Sequence, residues 1–234
     1  MALYAISDLH LSFDQPKAMD VFGAEWRDHH LRIAENWRET VSDADTVLLA
    51  GDTSWAMRQR GADADLRFIA DLPGKKILVQ GNHDYWWDST ARLNATYNDA
   101  LTFIKNSFAA YDDKTAICGS RGWICPNDKL FTPHDEKIYK REVARLARSL
   151  EMASSAGFGE IIVMLHYPPT NDKKEPSGFT ELIDQYPVKC VVYGHLHGSA
   201  CFYAGFMGLR KNARYFLTSC DFLKFCPMKI RAIG

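Results

Sequence analysis

The stretch KILVQGNHDYWW, residues 76–87, runs an apolar segment directly into Gly81, Asn82, His83 and Asp84. Four other apolar runs end in the same way, at Gly, Asp or His: LYAISDLH (3–10), TVLLAGD (46–52), IIVMLHYPP (161–169) and CVVYGHLHG (190–198). None of the five alternates apolar with polar residues. They therefore suit strands that are buried on both faces, as in a sheet covered by helices.

Helical patterns lie between these runs, at residues 24–41, at residues 62–71, from near Asp88, and at residues 133–152. The clearest is the last, where Thr132 can cap the helix and Asp135 stands at its third position. Further strands with turns are expected at residues 107–125 and 200–233. This alternation predicts an α/β protein of layered sheets and helices, with ligand-binding loops at the carboxyl ends of the strands.

Composition limits the classes of protein that are possible. The 234 residues are 47% hydrophobic and 24% charged, which predicts one globular domain over residues 1–234. The net charge of −1 provides no general attraction to nucleic acid or to an anionic membrane. No signal-peptide pattern and no run of about 18 apolar residues is present, so a cytoplasmic protein is expected. The six cysteines are irregularly spaced, which favours reduced and mostly buried thiols.

Seven polar side chains at the ends of the predicted strands are candidate metal ligands: Asp8, His10, Asp52, Asn82, His166, His195 and His197. In an extended chain, residues i and i+2 point to the same side. Asp8 with His10, and His195 with His197, can therefore each direct two donors at one point. One such pair is weak evidence, but two pairs joined by three similar strand ends are not explained by ordinary buried histidines.

The number of ligands predicts two ions, because seven donors are too many for one ion that also needs an open position. If Asp52 bridges, one ion takes Asp8, His10 and His197, and the other takes Asn82, His166 and His195. A bridged pair lies about 3.5 to 4 Å apart. Imidazole mixed with carboxylate and amide oxygen favours Mn, Fe, Zn, Co or Ni over Mg or Ca.

The charge of such a centre indicates an anionic substrate. Two divalent cations and two carboxylates leave a charge of about +2, which attracts a phosphate group. Asn82 fits this chemistry because its amide oxygen ligates a metal without adding negative charge. The expected partner is thus a small phosphoester, and the sequence does not indicate an oligomeric state.

The order of these motifs resembles the calcineurin-like metallophosphoesterase superfamily. The matching segments are Asp8-Leu9-His10, Gly51-Asp52, Gly81-Asn82-His83-Asp84, His166 and Gly194-His195-Leu196-His197. The resemblance implies a four-layer α/β/β/α sandwich with a dinuclear metal centre at one edge of the sheets. It also implies that a metal-bound hydroxide attacks phosphorus in line, while His83 stands near the leaving oxygen as hydrogen-bond donor or general acid.

Departures from the pattern narrow the substrate class. Protein Ser/Thr phosphatases of this superfamily carry G-D-x-V-D-R-G and G-N-H-E, whereas this chain has GDTSWAMRQRG and GNHD. The second Asp, which partners the catalytic His in those enzymes, is missing. A small phosphodiester or nucleotide-like substrate is therefore favoured. A phosphomonoesterase with the same centre is an alternative. A non-catalytic scaffold of the same fold is disfavoured, because every ligand position is filled.

The sequence permits more than one role for some residues near these motifs. Gly81 is expected to permit a sharp turn, and Asp84 either orients His83 or caps the next segment. Trp86 and Trp87 are expected to pack in the core, with an aromatic wall for a nucleobase as the alternative.

Residues outside the strand ends receive weaker predictions. Solvated structural roles are expected for His29, His30 and His134. Ordinary surface positions are favoured over phosphate contacts for Arg58, Arg60, Arg121 and Arg210. Residues 105–130 and 170–180 are rich enough in loops to border the pocket.

Overall fold

A computed structural model of the protein describes residues 1–97 and 100–230. Its strands are β1 (Leu3–Ile6), β2 (Thr46–Leu49), β3 (Lys75–Leu78), β4 (Leu101–Phe103), β5 (Phe108–Ala110), β6 (Thr115–Ser120), β7 (Glu160–Leu165), β8 (Val188–Tyr193), β9 (Gly208–Arg210), β10 (Ala213–Leu217) and β11 (Met228–Lys229). Its α-helices are α1 (His29–Thr40), α2 (Gln59–Ala70), α3 (Thr90–Tyr97), α4 (Pro133–Ser155) and α5 (Gly178–Ile183).

The strands form two sheets that are mostly parallel. The first has the order β11-β1-β2-β3-β4, in which β1 to β4 are parallel and β11 is antiparallel. The second has the order β5-β6-β7-β8-β10-β9, with a parallel centre and antiparallel edge strands. Parallel strands place their carboxyl ends at one edge of a sheet, so the motif-bearing loops after β1, β2 and β3 are neighbours, as are those after β7 and β8.

Each central strand divides its side chains between two hydrophobic cores. In β2, Val47 and Leu49 pack with the helical layer that includes Trp37 of α1. Leu48 points the other way, into a core that also contains Ile162 of β7 in the second sheet. The outer face of the second sheet packs under α4 and α5. The order of layers is therefore helix, sheet, sheet, helix, which confirms the predicted α/β class and explains why the strands lack polar alternation.

The predicted helices are present with shifted ends. The first begins at His29 rather than residue 24, because residues 24–26 form a 3-10 turn. The last of the four, α4, has the predicted cap: the backbone N–H and hydroxyl of Thr132 donate to the Asp135 carboxylate at 2.9 and 2.5 Å. The strand β4 and the helix α5 were not predicted, because three and six residues are too few to show a period.

The predicted strands in the C-terminal segment are β9, β10 and β11, while residues 231–233 of that segment lie outside the described residues. The six thiols are free, and four of them are buried, as expected. In the part of the chain that is described, no helix combines the length and the apolar composition that crossing a membrane requires.

The expectation that His29 is solvated is wrong. Its side chain is buried, and its two ring nitrogens lie 3.0 Å from the Trp26 carbonyl and 2.9 Å from the Leu9 carbonyl. Burial lowers its pKa. Leu9 lies between the candidate ligands Asp8 and His10, so the contact of His29 with the Leu9 carbonyl connects α1 to the loop that carries them. His134 is exposed, as expected.

Candidate metal centre

The seven candidate ligands lie at the carboxyl ends of β1, β2, β3, β7 and β8, as the sequence predicts. Four of them have a left-handed backbone: Asp8 (φ 60°), His10 (φ 47°), Asp52 (φ 51°) and His195 (φ 72°). Residues other than glycine rarely adopt this conformation, and each instance costs about 1 kcal/mol or more. Backbone hydrogen bonds hold the conformation, among them those from Asp8 N–H to Gly51 O at 2.9 Å and from His10 N–H to Asp52 O at 3.0 Å.

Asp8, His10 and His197 form one group of potential ligands. The Nε2 atom of His197 lies 3.0 Å from Nε2 of His10 and 3.2 Å from Oδ1 of Asp8. All three side chains are buried or mostly buried. This is the set that the sequence predicts for the first ion.

Asn82, His166 and His195 form a second group. Oδ1 of Asn82 lies 2.7 Å from Nε2 of His166 and 2.9 Å from Nδ1 of His195, and the two ring nitrogens are 3.3 Å apart. The other ring nitrogen of His166, Nδ1, lies 3.0 Å from the Ala50 carbonyl. A proton on Nδ1 would bond that carbonyl and leave Nε2 available to a metal.

Asp52 lies between the two groups. Its Oδ2 atom is 3.4 Å from Nε2 of His166 and 3.8 Å from Nε2 of His10. Its Oδ1 atom accepts the backbone N–H of His83 at 2.8 Å. One oxygen is thus fixed by the protein, and the other is placed between the groups.

The donor set fits metal ions. In the triads Asp8-His10-His197 and Asp8-Asp52-His166, the potential ligand atoms lie within 4.8 Å of one another. Ring nitrogens also face each other, His10 against His197 and His166 against His195. Two imidazole lone pairs at this distance repel unless a proton or a cation lies between them. The arrangement is therefore favourable for cations.

Side chains that the sequence analysis missed hold Asp8 and His197. Oδ2 of Asp8 accepts the hydroxyls of Ser7 at 2.5 Å and Ser219 at 3.0 Å. Asp221 lies 3.4 Å from Nδ1 of His197 and accepts the backbone N–H of Gly198 at 2.8 Å. Ser219 and Asp221 follow β10 in the segment YFLTSCD, residues 215–221, which is another apolar run ending in polar residues. The strand-end pattern could have identified them.

Protonation in the metal-free protein differs among the histidines. Burial lowers the pKa of His166 to about 3 and that of His195 to about 4, so both are neutral and suited to bind metal. Burial acts in the same direction on His197, but the Asp8 and Asp221 carboxylates outweigh it and raise its pKa to about 10. Burial, followed by the nearby Asp84 and Asp8 charges, raises the pKa of Asp52.

Asp84 connects the loops after β2 and β3. Its carboxylate accepts the backbone N–H groups of Thr53, Ser54 and Gly81 at 2.9, 3.1 and 2.7 Å, and the indole N–H of Trp86 at 3.0 Å. Burial raises its pKa to about 6, against the effect of these donors. Of the two roles left open, the contacts favour a capping role that spans both loops, since none of these donors belongs to His83.

Glycine is required at position 81 because the backbone there passes very close to Asp52. Its φ is not in the left-handed region. A Cβ atom there would collide with the backbone nitrogen and the carboxylate of Asp52. The space that Asp52 occupies is therefore a stronger reason for glycine at this position than the expected sharp turn.

Trp55 is one of the aromatic residues that border the centre. Its ring stacks on His10 at 4.7 Å and lies 4.2 Å from that of His83. Lys17 covers the Trp55 ring, with Nζ 3.3 Å from the centroid. Trp86 is buried and Trp87 packs against Phe103, which supports the packing role expected for both.

Two of the four arginines considered in the sequence differ from ordinary surface residues. Arg121 lies 3.7 Å from Glu142, and Arg210 lies 2.9 Å from Asp184. Arg58 and Arg60 are exposed and line a cleft of about 490 Å³ beside Trp55.

The chain matches the family described as calcineurin-like phosphoesterase over residues 1–199, and it belongs to that family. Membership agrees with the two-sheet fold and with the resemblance carried by the motifs. Together with the triads above, it supports a candidate metal-binding site that includes Asp8, Asp52 and His166.

Similar proteins include two from bacteriophages. The gene 66 protein of Mycobacterium phage D29 is 32% identical over 106 residues, which cover 43% of this chain and 51% of the phage protein. The gene 66 protein of Mycobacterium phage L5 is 33% identical over 78 residues, which cover 33% of this chain and 37% of the phage protein. The chain thus spans about half or less of these relatives. The structure of TT1561 from Thermus thermophilus has a TM-score of 0.55 at 13% identity, covering 82% of this chain and 80% of that one, which shows a shared fold.

Gly81→Ala should displace Asp52 and weaken Mn²⁺ binding about tenfold to hundredfold, measured by titration calorimetry on metal-stripped protein. The control is Gly159→Ala, where no described atom lies within 4 Å of the added carbon. Circular dichroism establishes that both variants fold. Equal Mn²⁺ affinity in the two folded variants would show that the close contact between the Gly81 backbone and Asp52 does not matter for metal binding.

Metal binding should release the proton of His197. Because its pKa is raised to about 10, this ring is protonated at neutral pH and must lose the proton from Nε2 before it can ligate. Affinity for Mn²⁺ should therefore increase between about pH 6.5 and about pH 8. Calorimetry in buffers of different ionisation enthalpy should show about one proton fewer released by His197→Asn than by the unmodified protein. Equal proton release would show that His197 is not the source.

Proposed function

We propose that the protein is a single-domain, metal-dependent phosphohydrolase that cleaves a small phosphodiester or nucleotide-like substrate. Its dinuclear centre would be held by Asp8, His10, Asp52, Asn82, His166, His195 and His197. The position of Asp52 between the two groups of ligand atoms carries the proposal. Mn, Fe, Zn, Co or Ni suits this set. When bound, two such ions would polarise phosphoryl oxygens and lower the pKa of water.

The protein residues determine what the centre attracts. Asp8 and Asp52 supply two negative charges, and Asn82 and the neutral imidazoles supply none, so two divalent ions leave about +2. The Ser7 and Ser219 hydroxyls occupy one oxygen of Asp8 and leave the other facing His197. The site therefore keeps a positive charge that favours a phosphate group.

His83 is the residue best placed to contact the substrate. Its side chain is 34% exposed, whereas that of Asp52 is 2% exposed, and its Nε2 atom lies 4.0 Å from Oδ2 of Asp52. Burial, followed by the charge of Lys17, lowers the pKa of His83 and favours the neutral ring. The neutral ring can donate its N–H to the leaving oxygen, which stabilises the charge that develops there.

Trp55 supports a diester over a phosphoprotein. It stands where the protein phosphatase pattern G-D-x-V-D-R-G has its second Asp, and its ring contacts His83. An aromatic face beside the leaving-group position suits an organic leaving group, including a nucleobase. A phosphomonoesterase that uses the same residues is the second candidate, because the aromatic face also suits a monoester of an aromatic or nucleotide alcohol. A scaffold role is disfavoured because the ligand atoms converge.

The first experiment compares para-nitrophenyl phosphate with its bis-ester on metal-stripped protein. Mn, Zn, Ni and Mg are added back separately, and nitrophenolate release is measured. We expect restored hydrolysis that favours the bis-ester. Preference for the mono-ester would instead support the phosphomonoesterase. No hydrolysis with any metal, on protein shown to have bound it, would support the scaffold.

Asp52→Ala and His83→Ala should have different effects. The first removes the ligand placed between the groups, so at least one bound metal should be lost by elemental analysis. The second should keep both metals and lower kcat, by about 10²-fold to 10⁴-fold for esters with poor leaving groups and less for nitrophenyl esters. The exposed His134→Ala serves as the control. Equal metal loss in Asp52→Ala and His83→Ala would refute the separate roles.

A further inference from the structure

Three guanidinium groups converge on one carboxylate oxygen outside the metal centre. Oε1 of Glu142 lies 2.5 Å from Nη1 of Arg145, 3.5 Å from Nη2 of Arg141 and 3.7 Å from Nη2 of Arg121. The Glu142 side chain is fully buried, and its Oε2 has no hydrogen-bond partner among the described residues. Only the Arg145 contact has the length of a good charged hydrogen bond.

We call this group the basic cluster: Arg121, Arg141, Arg145 and Glu142. Three cations and one carboxylate leave two positive charges. Within residues 1–97 and 100–230, no second carboxylate lies within 4.0 Å of the three arginines. Like charges held this close repel, so an additional anion would be favourable.

Arg121 has an unused donor. Its Nε atom is buried without a hydrogen-bond partner in the described structure, and its guanidinium lies 4.5 Å from the centroid of the Trp123 ring. Buried donors are nearly always paired in folded proteins. The stacking on Trp123 fixes the plane of the guanidinium, while the loose contact with Glu142 leaves much of its bonding capacity available.

The basic cluster is next to the metal centre. Arg121 follows β6, and its carbonyl accepts the backbone N–H groups of His166 and Tyr167, both at 3.0 Å. The neighbouring strand β7 leads to His166, and neighbouring strands are about 4.8 Å apart, so Arg121 begins one strand away from the group of Asn82, His166 and His195.

Trp55 lies on the other side of this arrangement. It contacts His10 of the first ligand group, whereas the carbonyl of Arg121 in the basic cluster accepts the backbone N–H of His166, which belongs to the second group. Asp52 lies between the two groups. A substrate whose leaving group rests near Trp55 would therefore extend its other substituent toward the cluster.

We propose that the basic cluster binds a second phosphate group of the substrate, carried on the substituent that does not leave. This inference rests on the function proposed above and assigns a substrate class to it: a phosphodiester that bears another phosphate. Phosphate is favoured over carboxylate because two uncompensated positive charges match its charge of about −2, and because arginine binds it in a bidentate manner.

Binding is tested without metal, by calorimetric titration of inorganic pyrophosphate into metal-stripped protein. Arg121→Gln and Arg141→Gln should each raise Kd by about tenfold or more. Arg141 is about half exposed, so its substitution should not disturb folding. Arg148→Gln is the control, because Arg148 is exposed on the same helix and outside the cluster. Unchanged Kd in Arg121→Gln and Arg141→Gln would overturn the proposal.

Hydrolysis then tests whether the bound anion belongs to the substrate. The Mn²⁺-loaded protein is given a dinucleotide with a 5′-phosphate and the same dinucleotide without it. We expect kcat/KM to favour the phosphorylated form about tenfold or more, Arg141→Gln to remove that preference, and Arg148→Gln to keep it.

The outcomes separate the two proposals. Cluster-dependent pyrophosphate binding without any preference for the phosphorylated dinucleotide would overturn the substrate assignment and indicate a site for a free anion. Hydrolysis of neither dinucleotide, nor of the nitrophenyl esters, with pyrophosphate binding intact would refute the proposed function and not the anion site. Hydrolysis of both dinucleotides at equal rates in all variants would refute the second-phosphate site alone.

Discussion

The Asp84 carboxylate fixes the two loops on which the candidate centre depends. Four N–H groups from the loops after β2 and β3 converge on it. Through them it determines the distance between Asp52 on one loop and Asn82 and His83 on the other. The absence of a side chain at Gly81 allows the same two loops to approach each other. A buried anion with four donors is a stronger constraint than backbone pairing here, because β2 and β3 end before these residues.

The centre concentrates buried ionisable groups. Asp8, Asp52 and Asp84 are each almost completely buried. Asp8 remains ionised because nearby histidines, His197 first, overcome the effect of burial and lower its pKa. His197 remains charged because the Asp8 and Asp221 carboxylates overcome the effect of burial and raise its pKa. Cations would replace that single proton with a larger positive charge, so the geometry is best satisfied when metal is bound.

The sequence could predict the centre because the signal was local. Each strand end carries its polar residues within a few positions of a buried run, and parallel topology brings those ends together regardless of the details of packing. His29 shows where this reasoning fails. Its neighbours in sequence are charged, but its ring reaches carbonyl oxygens that tertiary packing supplies. Trp55 was missed for a related reason, since its importance depends on which side chains it contacts across the site.

The basic cluster is a further case in which the sequence does not reveal contacts that tertiary packing creates. Arg141 and Arg145 are one turn apart on α4, a spacing that usually indicates a solvated helix face. Arg121 reaches that face from the end of β6, a strand that precedes α4 in the chain. Three cations that look ordinary in the sequence thereby become one concentrated charge with a single buried counterion. Such a concentration costs free energy in the isolated protein, because each arginine raises the electrostatic potential at the others. The cost is offset when an anion binds, and the position of Arg121 one strand from His166 makes the substrate the anion best placed to bind there.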